Sequence, residues 1–318
     1  MRIVAIGGTG HLGTFLVPRL VEAGDEVVCI SKGDRPYQPS YAWKWVQDVV
    51  MDRTAEEATG SFGRRVMDFK PDVVIDLICF NRESARHLVE AVRGKVRHLL
   101  CCGTIWVHGY NVKVPVTEDT PRHPFGEYGI RKEQMESYLL EEAHRNLFPI
   151  TLVHPGHLVG PGWVPLNPLG TWSVDVFARL AKGEELLMPH LGLETMHHVH
   201  VDDVAQVFIK AMANWRSSVG ESFHAVSQAA LTMRGYTESV AGWFGRPARL
   251  RFVPWEEYRA TVSAEDAASC WDHMAHSSNC SMVKAQRLLG YSPRYSSLEA
   301  IFEALTWLLE QGKIPRRE

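Results

Sequence analysis

A tyrosine and a lysine four residues apart are the pair in this sequence best suited to acid–base chemistry. They stand in the segment Tyr128-Gly129-Ile130-Arg131-Lys132. On a helix, the two side chains would share one face, a turn apart. A phenol with a pKa of about 10 is a poor base at neutral pH, but a nearby cation lowers that pKa and makes general acid–base catalysis possible. The alternative interpretation is a solvated pair on a helix surface.

A glycine-rich loop near the start is typical of a dinucleotide-binding turn. Gly7, Gly10 and Gly13 follow the spacing G-x-x-G-x-x-G, between an apolar stretch and a segment with helical periodicity. Glycines permit the turn and the close approach of a pyrophosphate, and the helix N-terminus offers free N–H groups. A purely structural turn is the alternative, but the order strand, loop, helix favours a cofactor. We expect further contacts from Thr9, His11 and Leu12.

The end of the second predicted strand bears on the choice of cofactor. NAD-binding proteins often carry an acid there for the ribose 2′-OH, whereas this chain has Ser31, followed by Lys32 and Arg35. A hydroxyl beside two cations suits a 2′-phosphate, so we predict NADP, with NAD possible. Solvated surface cations are the alternative, and Asp34 could compete as a ribose partner. Asp52 stands where it could meet the adenine amino group or cap a helix.

The segments that must position these residues alternate between strands and helices. Predicted strands cover residues 2–6, 26–30, 72–78, 97–102 and 150–153, and predicted helices cover 10–22 and 82–93. Alternation of this kind implies βαβ crossovers and an α/β fold with a doubly wound parallel sheet. Such sheets bind ligands at the carboxyl ends of their strands.

The sequence changes character after Gly160, where prolines and glycines interrupt regular structure. Aromatic residues and turns dominate much of residues 163–196 and 227–295, although residues 199–213 and 221–225 have the pattern of sheet-domain elements. We therefore predict two discontinuous units. The dinucleotide-binding domain would comprise residues 1–162 and 197–226, and a smaller C-terminal substrate lobe would comprise residues 163–196 and 227–318.

Composition excludes several classes of protein. The chain has 318 residues, 45% of them apolar and 22% charged, and a net charge of −3. These values are ordinary for a globular protein and give no support to nucleic-acid binding. No apolar run reaches the length of a membrane helix, no leader peptide is evident, and the six cysteines lack C-x-x-C spacing. We expect a cytoplasmic protein with reduced thiols and no nucleic-acid or membrane partner.

Together with the glycine loop, four later motifs resemble the extended short-chain dehydrogenase/reductase superfamily, the NAD-dependent epimerase/dehydratase group. Residues 101–109 are similar to the family segment that ends Val-Tyr-Gly, and residues 155–162 to its Pro-x-x-x-Tyr-Gly-Pro-Gly segment. Residues 199–205 and 289–299 match later segments in the same order. The resemblance implies a Rossmann sheet, an NAD(P) cofactor, a small-molecule substrate such as a sugar or sugar nucleotide, and a homodimer.

The resemblance also implies roles for individual residues. Tyr128 would be the acid/base at a substrate hydroxyl or carbonyl, and Lys132 would hold the nicotinamide ribose and lower the pKa of Tyr128. Thr104, five residues before Gly109, would donate a hydrogen bond to the substrate oxygen. Tyr128 and Lys132 also count among the expected cofactor contacts, with Leu77, Ile78, Cys102, Pro155 and His157.

Departures from the family pattern narrow the function. Ile105 and Trp106 stand where sugar-nucleotide 4,6-dehydratases carry an acidic pair that eliminates water, so we do not expect a dehydratase. The arginine with which many relatives bind a nucleotide diphosphate is absent from residues 195–198, although Arg179, Arg234 or Arg294 could compensate. We therefore predict an NAD(P)-dependent oxidoreductase or epimerase acting on a secondary alcohol or ketone of a sugar-like molecule. A non-catalytic dinucleotide sensor or RNA-associated protein on the same fold is the alternative.

Three histidines close together in the sequence raise the question of a metal. His198 and His200 would share one face of a strand, with His197 just before them. No cysteine or carboxylate completes an obvious ligand set, and the following Asp202 and Asp203 better explain the start of a helix. The sequence predicts no metal site.

Overall fold

Strands and helices alternate along the chain in a computed structural model that describes residues 1–33 and 40–315. The strands are β1 (Arg2–Ile6), β2 (Glu26–Ser31), β3 (Gln47–Val50), β4 (Val73–Asp76), β5 (His98–Cys102), β6 (Ile150–Pro155), β7 (His157–Val159), β8 (Glu185–Pro189), β9 (Thr195–Met196), β10 (His198–His200), β11 (Ser222–Ala225), β12 (Leu231–Thr232) and β13 (Arg249–Val253).

The helices connect these strands and cover the sheet. They are α1 (His11–Glu22), α2 (Arg53–Ala58), α3 (Phe62–Asp68), α4 (Arg82–Val92), α5 (Gly126–Arg145), α6 (Asp175–Lys182), α7 (Val201–Ala213), α8 (Trp215–Ser218), α9 (Met233–Trp243), α10 (Trp255–Arg259), α11 (Ala264–His276), α12 (Val283–Leu289) and α13 (Ser297–Glu310), with 3-10 helices at Tyr41–Trp45 and Ile105–His108. None of those helices is long and apolar enough to span a lipid bilayer.

The central sheet has seven parallel strands in the order β11-β6-β5-β4-β1-β2-β3. The chain runs outward from β1 to β3, then returns through β4 and continues in the other direction, which creates a crevice at the carboxyl ends of β1 and β4. This topology confirms the predicted doubly wound Rossmann sheet. Two later elements also contact this unit, since α7 packs against α1 and β11 pairs with β6.

Both faces of the sheet are apolar because helices cover both. In β1, Ile3 and Ala5 belong to the core beside α1 and α7, whereas Val4 and Ile6 belong to the core beside α4 and α5. Cys101 and Cys102 likewise point to opposite cores, so their side chains cannot pair. All six cysteines lie among the described residues, where they are buried and form no disulfide.

A second core lies outside the sheet, where residues from α6, α9, α11 and α13 pack together. Its strands form small two-stranded sheets, β13 with β8 and β12 with β9. The exact division of the chain into two lobes stays a prediction. Helix α12 falls within the predicted substrate lobe, yet its Ala285 and Leu289 pack in the core of the central sheet.

Two strand boundaries differ from the sequence expectation by two residues, and the other ends of the predicted strands differ by one residue at most. Strand β4 ends at Asp76 rather than at residue 78, because the Asp76 carboxylate turns back to accept a hydrogen bond from the Ile78 N–H. Strand β6 extends to Pro155, since Gly156 continues the pairing with β11 through the Ala225 carbonyl. Leu77 and Ile78 therefore lie in the loop at the crevice.

Candidate active site

The glycine loop forms a tight turn between β1 and α1. Gly7 has a φ of +80°, and its carbonyl accepts a hydrogen bond from the Gly10 N–H at 3.0 Å. A Cβ on Gly13 would lie 2.2 Å from the Gly8 carbonyl oxygen, so only glycine lets α1 approach the strand this closely. The first turn of α1 carries no acidic residue. The loop therefore fits the pyrophosphate of a dinucleotide, which its free N–H groups and helix dipole would bind.

Two neighbours of this loop were expected to contact the cofactor. Ile78 packs against Gly7, since a Cβ there would lie 2.5 Å from Ile78 Cγ2. His11 stacks on Trp163 with ring centroids 4.6 Å apart, and burial lowers the pKa of His11 to about 3. His11 is thus a neutral ring packed on the lobe. A cofactor contact from either residue stays a prediction.

The residues at the end of β2 are linked to the start of α2. Lys32 Nζ lies 3.1 Å from Asp52 Oδ2, and this contact is the main reason that the pKa of Asp52 is lowered. Asp52 also caps α2 by accepting hydrogen bonds from the N–H groups of Thr54 and Ala55. Ser31 Oγ accepts from the Gly33 N–H. The structure thus gives Asp52 the capping role that the sequence left open. Arg35 and Asp34 lie outside the described residues.

Most of the other predicted site residues line one cleft of about 590 Å³ at the carboxyl ends of β4, β5 and β6. Its walls comprise Leu77, Phe80, Cys102, Gly103, Thr104, Ile105, Trp106, Tyr128, Lys132, Pro155, Gly156, His157, Leu158, Trp172, Ser269, Asp272 and His273. A second cleft of about 510 Å³, beside α3 and α4, holds none of the predicted site residues.

Lys132 lies at the bottom of the cleft and is fixed by the main chain. Its Nζ donates to the carbonyl oxygens of Cys79 at 2.9 Å and Cys102 at 2.6 Å, and the side chain is buried. An ammonium has three protons, so one remains for a ligand or for Tyr128. Burial acts to lower the pKa of Lys132, but Coulombic attraction to Tyr128 and other neighbours outweighs it and raises the pKa overall. Lys132 is therefore a fixed positive charge.

Thr104 begins the 3-10 helix Ile105–His108, and its hydroxyl faces the cleft. Thr104 Oγ1 accepts a hydrogen bond from the Trp106 N–H at 3.2 Å, which leaves the hydroxyl proton free to be donated. The Thr104 N–H donates to Glu136 Oε1 at 3.0 Å. Glu136 is buried, and although burial acts to raise its pKa, His154 and Arg122 lower it overall. An ionised Glu136 thus holds the Thr104 backbone in place.

Tyr128 lies above Lys132 on α5, with its ring edge-on to Trp106 at 5.9 Å. Its residue as a whole is 44% exposed in the cleft, yet burial around the phenol is the largest influence on its pKa and raises it. Lys132 and a hydrogen bond from Thr104 act in the opposite direction. Lys132 does lower the pKa of Tyr128, as expected, but burial raises that pKa by more, so the net shift is upward. The phenol keeps its proton at neutral pH.

The wall opposite Tyr128 comes from the second core. Ser269, Asp272 and His273 share one face of α11, and Trp172 stands beside them at the rim. Burial raises the pKa of Asp272 and lowers that of His273. His157 lies near His273, with ring centroids 5.2 Å apart, and burial lowers its pKa well below the usual value. Within the described residues, Lys132 and Asp272 are the only Lys, Arg, Asp or Glu side chains in the cleft wall.

Sequence analysis missed several of these residues. Glu136 follows Lys132 by four residues, so the same helical spacing that pairs Tyr128 with Lys132 could have indicated it. The spacing of Ser269, Asp272 and His273 was also visible, but nothing in the sequence shows that α11 faces the cleft.

His197, His198 and His200 contact three different partners, the carbonyls of Ser227 and Leu166 and the carboxylate of Glu303.

Residues 3–225 match the model of the NAD dependent epimerase/dehydratase family. That match covers well over half of the sequence. The parallel sheet, the glycine turn and the cleft at the carboxyl edge of the sheet agree with it. The chain therefore belongs to this NAD-dependent family of epimerases, reductases and dehydratases.

Individual relatives cover nearly the whole chain. The 2'-dehydrokanamycin reductase of Streptomyces kanamyceticus is 29% identical over 321 residues, which is 99% of this chain and 86% of that protein. The chloroplast stem-loop binding protein of 41 kDa b of Arabidopsis thaliana is 25% identical, over 95% of this chain and 78% of its own length. Among solved structures, UDP-glucose 4-epimerase of Thermotoga maritima with UDP-glucose has a TM-score of 0.76 at 21% identity, over 98% and 99% of the two chains. That likeness shows the shared fold.

Proposed function

We propose that this protein is an NADP-dependent reductase of a ketone in a sugar-like molecule, with Thr104, Tyr128 and Lys132 as its catalytic residues. The observation that carries this proposal is the convergence of these three side chains in one cleft at the carboxyl ends of the sheet strands. The glycine turn lies at the same edge of the sheet. Family membership supports a nicotinamide dinucleotide as the cofactor.

Each of the three residues has a distinct part in the reduction. A bound nicotinamide supplies the hydride that reaches the carbonyl carbon. Tyr128 donates its phenolic proton to the carbonyl oxygen as negative charge develops there. Thr104 donates a hydrogen bond to the same oxygen, and the Lys132 ammonium stabilises the tyrosinate until solvent returns the proton. The raised pKa of Tyr128 suits this direction, because the proton is present before the reaction begins.

The charges of the cleft wall favour a substrate without a nucleotide diphosphate. A diphosphate needs cationic or bidentate partners, and in the described wall of the cleft only Lys132 is cationic. Asp272 would repel phosphate and would hydrogen-bond hydroxyl or ammonium groups. Trp106 and Trp172 offer flat apolar surfaces to a sugar ring. The reductase relative, whose name specifies a dehydrokanamycin, supports a glycoside ketone of this kind.

The preference for NADP rests on Lys32 beside Ser31. Asp52 partly neutralises Lys32 at 3.1 Å, yet the lysine is 63% exposed and can turn toward a 2′-phosphate. We also expect a homodimer, as the family resemblance implies.

Epimerisation is the second candidate, because other members of the family carry that name. It would use the same three residues to oxidise an alcohol, retain the ketone and reduce it from the other face. A 4,6-dehydratase is not proposed, since Ile105 and Trp106 stand where an acidic pair would be needed.

A turnover assay separates these functions. Purified protein is mixed with NADPH and a panel of keto-sugars and keto-aminoglycosides, and nicotinamide absorbance and product mass are followed. We expect stoichiometric loss of NADPH with a product two hydrogens heavier, and in Tyr128→Phe both should be slower by about 10²–10⁴-fold. An epimerase would instead retain cofactor through gel filtration and convert a sugar alcohol to its isomer without net NADPH loss. Cofactor binding without any turnover across the panel would support the non-catalytic alternative and refute the proposal.

A further inference from the structure

Three histidines from different parts of the chain meet behind Thr104. His108 ends the 3-10 helix that Thr104 begins, His154 lies on β6, and His224 lies on the neighbouring strand β11. All three are buried, with exposures of 2%, 0% and 0%. One ring nitrogen from each lies within 4.8 Å of the other two. We call these residues the three-histidine cluster.

The hydrogen bonds of two rings define where their protons are. His108 Nδ1 lies 3.2 Å from the Thr120 carbonyl oxygen, and His224 Nδ1 lies 3.2 Å from the Ser281 carbonyl oxygen. A carbonyl oxygen only accepts, so each of these contacts is a hydrogen bond when Nδ1 carries its ring's proton. In a neutral ring, the Nε2 atom is then a bare lone pair.

Those two lone pairs face each other. His108 Nε2 and His224 Nε2 are 3.0 Å apart, a separation that requires a donor between two acceptors. A neutral ring with its proton on Nε2 would meet this requirement but would leave its Nδ1 facing a carbonyl oxygen without a proton, and a doubly protonated ring would bury a positive charge. A cation bound to both nitrogens avoids both costs. In a tetrahedral zinc site with Zn–N bonds of about 2.0–2.1 Å, neighbouring nitrogens are about 3.3 Å apart, which is close to the distance here.

His154 completes the same pattern from the third side. Its Nε2 lies 2.8 Å from Glu136 Oε2, close enough for an electrostatic contact, although the two atoms lack hydrogen-bond geometry. Its Nδ1 is buried and has no hydrogen-bond partner among the described residues. Every ring of the cluster thus has one nitrogen beside an oxygen acceptor and the other available as a ligand. Metal-binding histidines characteristically hold their second nitrogen in this way, against a carbonyl or a carboxylate.

We propose that the three-histidine cluster binds a divalent transition metal, with zinc as the ion that fits it best. Three neutral imidazoles favour zinc over calcium or magnesium, which prefer oxygen ligands. The role is structural, because the site ties the loop of His108 to β6 and β11. Glu136 extends that connection to Thr104, since its other carboxylate oxygen accepts a hydrogen bond from the Thr104 N–H.

The first test is metal content and ligand spectroscopy on the untagged full-length protein. The protein is stripped with chelator, reloaded with Zn²⁺ or Co²⁺, and dialysed before elemental analysis. We expect about one metal ion per chain and, for Co²⁺, the visible bands of a four-coordinate site with three nitrogen ligands. Wild-type protein that retains no metal after reloading overturns the proposal, whether or not any variant folds.

Variants then locate the metal. His108→Gln and His224→Gln each remove one ligand, and His98→Gln is the matched control because His98 is equally buried but bonds to Thr151 at the far end of β5. We expect both cluster variants to lose the Co²⁺ bands and at least about tenfold in metal affinity, whereas His98→Gln keeps both. Equal metal content in the cluster variants would place the ion on surface histidines and refute the site. Circular dichroism confirms that each variant is folded.

Discussion

The two walls of the cleft are held in different ways. On the sheet side, Lys132 donates to two main-chain carbonyls, and the backbone of Thr104 is held by the buried Glu136. On the opposite side, hydrogen bonds join elements of the second core to one another, as between Ser269 and the Gly170 carbonyl. Trp172 on that side is 54% exposed.

This difference separates two tasks. Groups that are fixed to a sheet can hold a proton donor within a narrow range of positions, which the chemical step requires. In the proposed mechanism, the side chains of the opposite wall contact the part of the substrate that lies above Tyr128, so they govern which molecule binds. We therefore expect changes in the sheet wall to lower kcat and changes in the lobe wall to raise KM.

Removal of the Tyr128 hydroxyl should have the largest effect. In Tyr128→Phe, kcat should fall by about 10²–10⁴-fold, because the proton donor is lost while the ring remains. The dissociation constant of NADPH should change by less than about threefold, since Lys132 and the glycine loop are untouched. Steady-state kinetics and titration calorimetry measure the two quantities. Unchanged turnover would remove Tyr128 from the mechanism.

The pH dependence of kcat gives the next largest effect. Burial raises the pKa of Tyr128, so the phenol is protonated at neutral pH and reduction should proceed at a constant rate there. The rate should fall about tenfold per pH unit once the pH rises through that raised pKa, because the donor is then ionised. A pH–rate profile at saturating substrate tests this. A rate that already falls tenfold between about pH 7 and pH 8 would contradict a raised pKa.

Substitution of Trp172 tests the lobe wall. In Trp172→Ala, KM should rise about tenfold, equivalent to about 1.4 kcal/mol of lost ring contact, while kcat stays within about threefold. Trp271→Ala is the control, since Trp271 is 48% exposed, packs beside Trp255 and lies outside the cleft wall. If Trp172→Ala lowers kcat and leaves KM unchanged, the division of tasks between the walls is wrong.

The smallest effect is expected at Lys32, beside the proposed position of the NADP 2′-phosphate. In Lys32→Ala, NADPH should bind about three- to fivefold more weakly and NADH equally well, because an exposed cation contributes at most about 1 kcal/mol. Lys95→Ala, an exposed lysine before β5, should change neither. Calorimetry with both cofactors measures the difference. Equal affinities of the wild-type protein for NADPH and NADH would reject the NADP preference.

The regular part of the fold and the shared helical face of Tyr128 and Lys132 could be predicted because their signals are local. The glycine spacing sets a turn that only glycine can form, and Tyr128 and Lys132 share a face through helical periodicity. The ends of β4 and β6 were less predictable. They depend on the Asp76 carboxylate and on the pairing of Gly156 with β11, which are contacts between distant residues.

Local sequence was enough to establish the alternation of strands and helices, the glycine turn and the helical face that carries Tyr128 and Lys132, because each follows from neighbours a few residues apart. Three other features needed the folded chain: α11 faces the cleft, burial outweighs Lys132 at the Tyr128 phenol, and three histidines meet behind Thr104. These features arise where strands far apart in sequence lie side by side, and no local pattern encodes the resulting contacts or the loss of solvent.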